Sequence, residues 1–298
     1  MSKMTQQKKA TVVSTSVAAF LTLSKLIIGI ASGSVAVLAS AVDSVLDMFV
    51  SIFNYFAISN SEKPADENFN YGRGKIEALA SVIEGSIITV SGIFLFYQAV
   101  QKALSGETSS YLEISLVVMV LSLCITIALV MYLNKIARQT NSMVVKADAL
   151  HYKTDVFSNV AVLASLILVH VTKLEIFDVI VGGAISLYII YSAYELIKEG
   201  VLVLMDRALD EKLVENIKTV LLSEKEVNTY HLLKTREAGH QTFVDVHLVF
   251  DCLITLMNAH KVVDKIEEKI KKLDSNRQWN ITIHMDPYDD LEIDKEIK

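Results

Sequence analysis

Proline, cysteine and charge are all scarce in this 298-residue chain. Two prolines and eleven glycines exclude collagen-like, low-complexity or largely disordered readings. The two cysteines, Cys124 and Cys252, lie far apart, one in an apolar run and one in the polar tail. Neither a disulfide framework nor a cysteine zinc site is expected from them. Charged residues are only 21% of the chain against 52% hydrophobic, and the mean hydropathy is +0.42. That average is too apolar for an ordinary soluble protein and indicates a membrane-embedded part diluted by a soluble one. Several catalytic signatures are also missing. There is no Walker motif for ATP-driven pumping, no His-Glu-x-x-His for a zinc protease and no Gly-x-Gly-Asp for an intramembrane aspartyl protease. No enzyme is expected.

What is present first is apolar runs. Six stretches, 11–32, 35–58, 76–99, 112–133, 147–171 and 177–197, are each near the roughly 20 residues a helix needs to cross about 30 Å of hydrocarbon. The first is not expected to be a cleaved signal, because the second follows after a short turn containing Gly33. The loops carry unequal positive charge. Lys3, Lys8, Lys9, Lys63, Arg73, Lys75, Lys135, Arg138 and Lys146 lie on one side, and only Lys102 and Lys173 on the other. That asymmetry predicts six spans with both termini in the cytoplasm.

The tail is different. From Asp206 to Lys298 there are 14 Lys+Arg against 19 Asp+Glu, and five of the seven histidines follow Tyr230. An acidic, histidine-bearing tail suits cations and argues against nucleic acid. Helical spacing over 209–223 and 256–273, and strand-like runs at 231–236, 242–250 and 279–285 with Ala238-Gly239 as a hairpin signal, give the order α-β-β-α-β. The expected fold is therefore an α-helical membrane protein: six transmembrane helices (1–205) plus a C-terminal cytoplasmic α+β, ferredoxin-like domain (206–290) with its helices on one sheet face. A charged tail, 291–298, closes the chain.

Ionisable residues inside hydrocarbon are expensive and point to function. The second span carries Asp43 and Asp47, and the fifth carries His151 and Asp155. Each pair is four residues apart and so occupies one helix face. Packed together, the two helices can offer three carboxylates and one imidazole to one point, a donor set suited to tetrahedral Zn²⁺ and acceptable to other divalent transition metals. Lys25 in the first span and Glu84 in the third are further intramembrane charges, open to a mutual ion pair, a solvated cavity wall or a part in proton movement.

These paired motifs, with the strings Ser40-Ala41-Val42-Asp43-Ser44, Gly72-Arg73-Gly74-Lys75-Ile76-Glu77 and Leu204-Met205-Asp206-Arg207-Ala208, resemble the cation diffusion facilitator family. The similarity runs from Lys9 to Pro287, and the nearest type is the bacterial zinc/ferrous-iron efflux antiporter. The resemblance implies a homodimer in the cell (inner) membrane whose protomers exchange Zn²⁺, and also Fe²⁺ or Cd²⁺, for protons by alternating access, exporting metal from the cytoplasm. Asp43, Asp47, His151 and Asp155 would bind the metal in their deprotonated forms and then yield to protons, with His151 as the natural proton carrier. It further implies that His231, His247, His260, His284 and Asp286 match the family's cytoplasmic zinc positions, where a two-metal cluster helps join the tails. His240, in the hairpin, is expected to be an ordinary solvent-exposed turn residue, and His170, at a span end, has the same reading. Lys75 and Asp206 match an interlocked charge network at the dimer junction. The loop after the second span departs from the pattern. Asp66 is kept, but Phe69 and Arg73 stand where relatives have histidines, and neither can ligate a metal. This loop is expected to have lost its metal site. The alternative function is a membrane metal sensor without transport.

Overall fold

The computed structural model describes residues 4–32, 35–105, 113–172, 176–275 and 277–289; side chains at 29, 32, 35–40, 42–43, 102–105, 113–119, 161–171 and 176–178 lie outside that description. The expected tail 291–298 and the side chains of Asp43 and His170 fall outside the described residues. The chain divides into two compact units, 1–201 and 202–298.

The first unit consists of six long helices: α1 Gln6–Ser32, α2 Val35–Ser61, α3 Lys75–Ser105, α4 Glu113–Thr140, α5 Met143–Thr172 and α6 Ile176–Leu204. Among the described residues four of them are long and apolar enough to cross a membrane, those within α1, α3, α4 and α6. The other two of the six expected spans, α2 and α5, do not meet that measure among the described residues; side chains at 35–40, 42–43 and 161–171 within them lie outside the description. Asp47, Asn54 and Asn60 interrupt the first, and Lys146, Asp148, Lys153 and Asp155 interrupt the second. Both helices turn polar groups inward, as do α1 with Ser14 and α3 with Glu84. Ser51, Asn54, Asp148 and Tyr152 are all buried, whereas Phe20, Ile27, Phe49, Phe56, Val90 and Met131 are exposed. Polar groups kept inside, beside the apolar clusters around Leu133 and Ile189, with an apolar exterior, are the arrangement that suits lipid as solvent.

Small residues bring α3 and α6 close. A Cβ on Gly200 would lie 2.6 Å from Val82 Cγ2 and 3.0 Å from the Ala78 carbonyl oxygen. Only a residue without a side chain fits such a crossing. Near the ends of α2 and α3, buried Glu77 accepts from Ser61 Oγ at 3.2 Å and Ser142 Oγ at 2.6 Å, tying the start of α3 to α2 and to the residue preceding α5.

In the second unit α7 (Glu211–Leu221), β1 (Val227–Ala238), β2 (Gln241–Phe250), α8 (Leu256–Leu273) and β3 (Gln278–Asp286) follow in the expected order. Asp210 caps α7 by accepting from Lys212 N–H, and Thr255 caps α8 by accepting from Asn258 N–H. The sheet order is β1-β2-β3, with β1–β2 antiparallel and β2–β3 parallel. Val244, Val246, Leu248 and Phe250 of β2 form one core with Ile217 and Leu221 of α7 and Val262, Val263, Ile266 and Ile270 of α8. Both helices therefore cover one sheet face. Strand alternation puts Asp245 and His247 on the other.

Candidate metal centres in the membrane and tail domains

The first centre lies between α2 and α5. Two interhelical contacts fix their relative position: Ser51 Oγ and Tyr152 Oη share a hydrogen bond of 2.7 Å, and Asn54 Nδ2 donates to Asp148 Oδ1 at 3.2 Å. In that alignment His151 Nε2 stands 3.1 Å from Asp47 Oδ1. Asp47, His151 and Asp155 each present one ligand atom within 4.8 Å of the others. One imidazole nitrogen and two carboxylate oxygens at such spacing fit a divalent transition metal after small adjustments. Asp43 is one helical turn before Asp47 on α2. Lys25 donates to Ser44 Oγ at 2.7 Å, while Glu84 accepts from Asn54 Nδ2 at 3.1 Å.

Sequence reasoning missed Asn54 and Asp148. The same rule that singled out the paired carboxylates applies to Asp148, an acid in an apolar run. Asn54, being neutral, gave no such signal. Asn54 Oδ1, Glu84 Oε1 and Asp148 Oδ2 are all buried without a hydrogen-bond partner. Each unmet acceptor costs about 1–3 kcal/mol, so the cluster calls for an explanation.

The second centre is a row across the sheet. Strand register pairs His231 with His247 and His247 with His284. The imidazole centroids are accordingly 5.0 and 4.6 Å apart. Asp286, two residues beyond His284 on the same strand face, joins them. Its Oδ2 lies 2.9 Å from His247 Nδ1 and 3.5 Å from His231 Nε2, and its Oδ1 lies 3.0 Å from His284 Nε2. His231, His247 and Asp286 bring ligand atoms within 4.8 Å of one another, a donor set that fits Zn²⁺. His260 is not brought to this row. It sits on α8, in the layer covering the opposite sheet face, is 64% exposed and faces Asp264 at 3.3 Å. His240 lies in the β1–β2 turn beside Gly239, whose φ is 61°.

The loop before α3 is closed by a different cation. Asp66 Oδ1 accepts from the N–H groups of Asn68 (3.0 Å) and Phe69 (2.9 Å), and Arg73 donates to Oδ2 at 2.6 Å. The guanidinium lies over the Phe69 ring, 4.2 Å from its centroid. Desolvation opposes ionisation of Asp66, but the hydrogen bonds from Phe69, Arg73 and Asn68 and the charge of Arg73 outweigh it. The carboxyl is held below the usual carboxylate range. A depressed folded pKa gives stability that is present above the unfolded value of about 3.9 and is lost as pH falls through the folded pKa. Limited proteolysis of the loop should therefore be slow at neutral pH and accelerate only in acid. Arg73→Met should make it fast at neutral pH, and an unchanged rate in that variant would refute the closure.

Of the charges expected at a dimer junction, Lys75 opens α3. Asp206 follows α6 with a φ of 58°, and Arg236 Nη1 donates to it at 3.4 Å.

Residues 11–205 match the cation efflux transmembrane domain, and residues 209–288 match the cation efflux protein cytoplasmic domain. The chain belongs to the cation diffusion facilitator family. Relatives of this family member include the cation-efflux pump FieF of Serratia proteamaculans, 35% identical over 280 residues, covering 94% of this chain and 92% of that one. FieF of Escherichia fergusonii is 33% identical over 279 residues, covering 94% and 92%. Among solved structures, the zinc form of CzrB is 30% identical with a TM-score of 0.26, covering 28% of this chain and 92% of that chain. The metal-bound C-terminal domain of CzcD from Thermotoga maritima is 22% identical with a TM-score of 0.25, covering 26% and 94%. As a cation efflux family member, the protein is a multi-pass helical membrane transporter with a cytoplasmic α+β domain.

Proposed function

We propose that this protein exports zinc from the cytoplasm in exchange for protons, as a homodimer in the cell inner membrane with both termini cytoplasmic. Six helices cross the bilayer in this reading, with α2 and α5 lining the pathway. The observation that carries it is the convergence of Asp47, His151 and Asp155 from these two helices, with Asp43 as the fourth donor. Metal binding requires deprotonated carboxylates and a neutral imidazole. Protons arriving from the far side therefore compete for the same atoms, and the proton gradient drives release. Fe²⁺ and Cd²⁺ are acceptable to the same donors. Lys75 and Asp206 belong in this reading to the charged dimer junction. The test is purified protein in proteoliposomes enclosing a pH-sensitive dye. Zinc should drive proton movement in the opposite direction. Zinc binding without any flux would favour the sensor.

The tail cluster holds zinc structurally in the same proposal, through His231, His247, His284 and Asp286. Asp286 touches three imidazoles, so Asp286→Ala and His247→Ala should weaken tail zinc binding and loosen the dimer. The loss should be at least the roughly 10–100-fold that even outer partners of metal ligands contribute. Zinc flux should survive. Calorimetry and sedimentation on the full-length protein check this, and unchanged affinity in both variants would remove the cluster. Asp66→Ala should leave the count of bound metal unchanged, because Arg73 already fills the ligand's place.

A further inference from the structure

We propose that Asn54, Glu84 and Asp148 form a second, oxygen-only site for a divalent cation inside the helix bundle. Three helices contribute: α2, α3 and α5. All three side chains are essentially inaccessible, at 0%, 1% and 0% exposure. The amide of Asn54 joins them, its Nδ2 donating to Glu84 Oε2 at 3.1 Å and to Asp148 Oδ1 at 3.2 Å. This leaves one oxygen on each residue, Oδ1 of Asn54, Oε1 of Glu84 and Oδ2 of Asp148, buried with no hydrogen-bond partner. All three are acceptors. Ser14 of α1 also hydrogen-bonds Asp148, and His151 faces both carboxyl groups, yet acceptors still outnumber donors, with Asn54 Oδ1 and Glu84 Oε1 unmet.

The charge balance points to a divalent ion. Two carboxylates share one neutral amide, and among the described residues no lysine or arginine pairs with either. Oxygen donors without nitrogen or sulfur select harder cations such as Mn²⁺ and Mg²⁺, which complete their coordination with water. The site is separate from the centre at His151. Asp148 precedes His151 by three residues and Asn54 follows Asp47 by seven, so the cluster lies about one to two helical turns toward the loops that join α2 to α3 and α4 to α5. A cation entering from that side would meet it before the imidazole. The site concerns equilibrium binding and holds whether or not the protein exports zinc.

The test uses full-length protein in detergent carrying Asp47→Asn, His151→Ala, Asp155→Asn and His247→Ala, which remove the ligands of the cargo centre and break the histidine row of the tail. Titration with Mn²⁺, followed by the loss of the free-ion paramagnetic resonance signal, should find one bound Mn²⁺ per chain. Its electron-spin-echo spectrum should lack imidazole ¹⁴N modulation. Adding Glu84→Gln or Asp148→Asn, each isosteric, should abolish that binding while the elution volume stays that of the parent. The proposal is overturned if the background binds no Mn²⁺, if its Mn²⁺ shows imidazole coupling, or if binding survives both isosteric changes. The spectrum of the background decides between oxygen-only and imidazole ligation without relying on the fold of either added variant.

Discussion

Asp155→Ala is expected to abolish zinc-driven transport while the protein still elutes as a folded dimer. Asp155 follows His151 by one helical turn, and both meet Asp47 across the α2–α5 contact. Alanine is a strong helix former, so α5 loses a ligand and keeps its backbone. Asp47→Ala should behave the same way, though it also removes the acceptor 3.1 Å from His151 Nε2. The Ser51–Tyr152 and Asn54–Asp148 bonds that align the helices are untouched in either variant. Zinc uptake into inverted vesicles, measured beside the elution profile, checks the expectation. Transport retained in either variant would mean that these carboxylates do not carry the cargo.

His151→Asp should change which metal is preferred. The imidazole is the only borderline-soft donor in an otherwise oxygen site, and it favours Zn²⁺ and Cd²⁺ over Mn²⁺. A fourth carboxylate raises the negative charge and suits the larger, harder Mn²⁺ with water completing its shell. The zinc-to-manganese ratio in competitive uptake should fall by about tenfold or more, the equivalent of about 1.4 kcal/mol in relative affinity. The absolute rate is expected to fall too. An unchanged ratio would place selectivity in helix packing or the access path.

Legibility in the sequence followed the strength of local signals. The amphipathic run 256–273 coincides with α8, because Thr255 supplies a side-chain cap just before it and its apolar face is regular. Alternation predicts the first strand over 231–236, but β1 spans Val227–Ala238. Its register shifts on both sides of His231, and Leu232 has a φ of 52°. A bulge breaks the two-residue alternation from which a strand is recognised. The i,i+4 spacing put Asp47 on one face and His151 with Asp155 on another, but only packing decides whether two faces meet. The histidine row depends on pairing register between strands, which no single segment encodes. His260 shows the converse: its position on α8 was legible, while its layer relative to the sheet was not. Asn54 stayed hidden because its meaning lies in Asp148 and Glu84, whereas Asp148, an acid in an apolar run, carries the same signal as the paired carboxylates.

Zinc X-ray absorption on full-length protein carrying His247→Ala and Asp286→Ala, loaded with one equivalent of Zn²⁺, tests the central claim most directly. The account predicts four light ligands at about 2.0–2.2 Å, as expected for nitrogen and carboxylate donors. Multiple scattering should come from a single imidazole and disappear in His151→Asp. Two or more imidazoles, or a spectrum unchanged by His151→Asp, would contradict a cargo site built from α2 and α5.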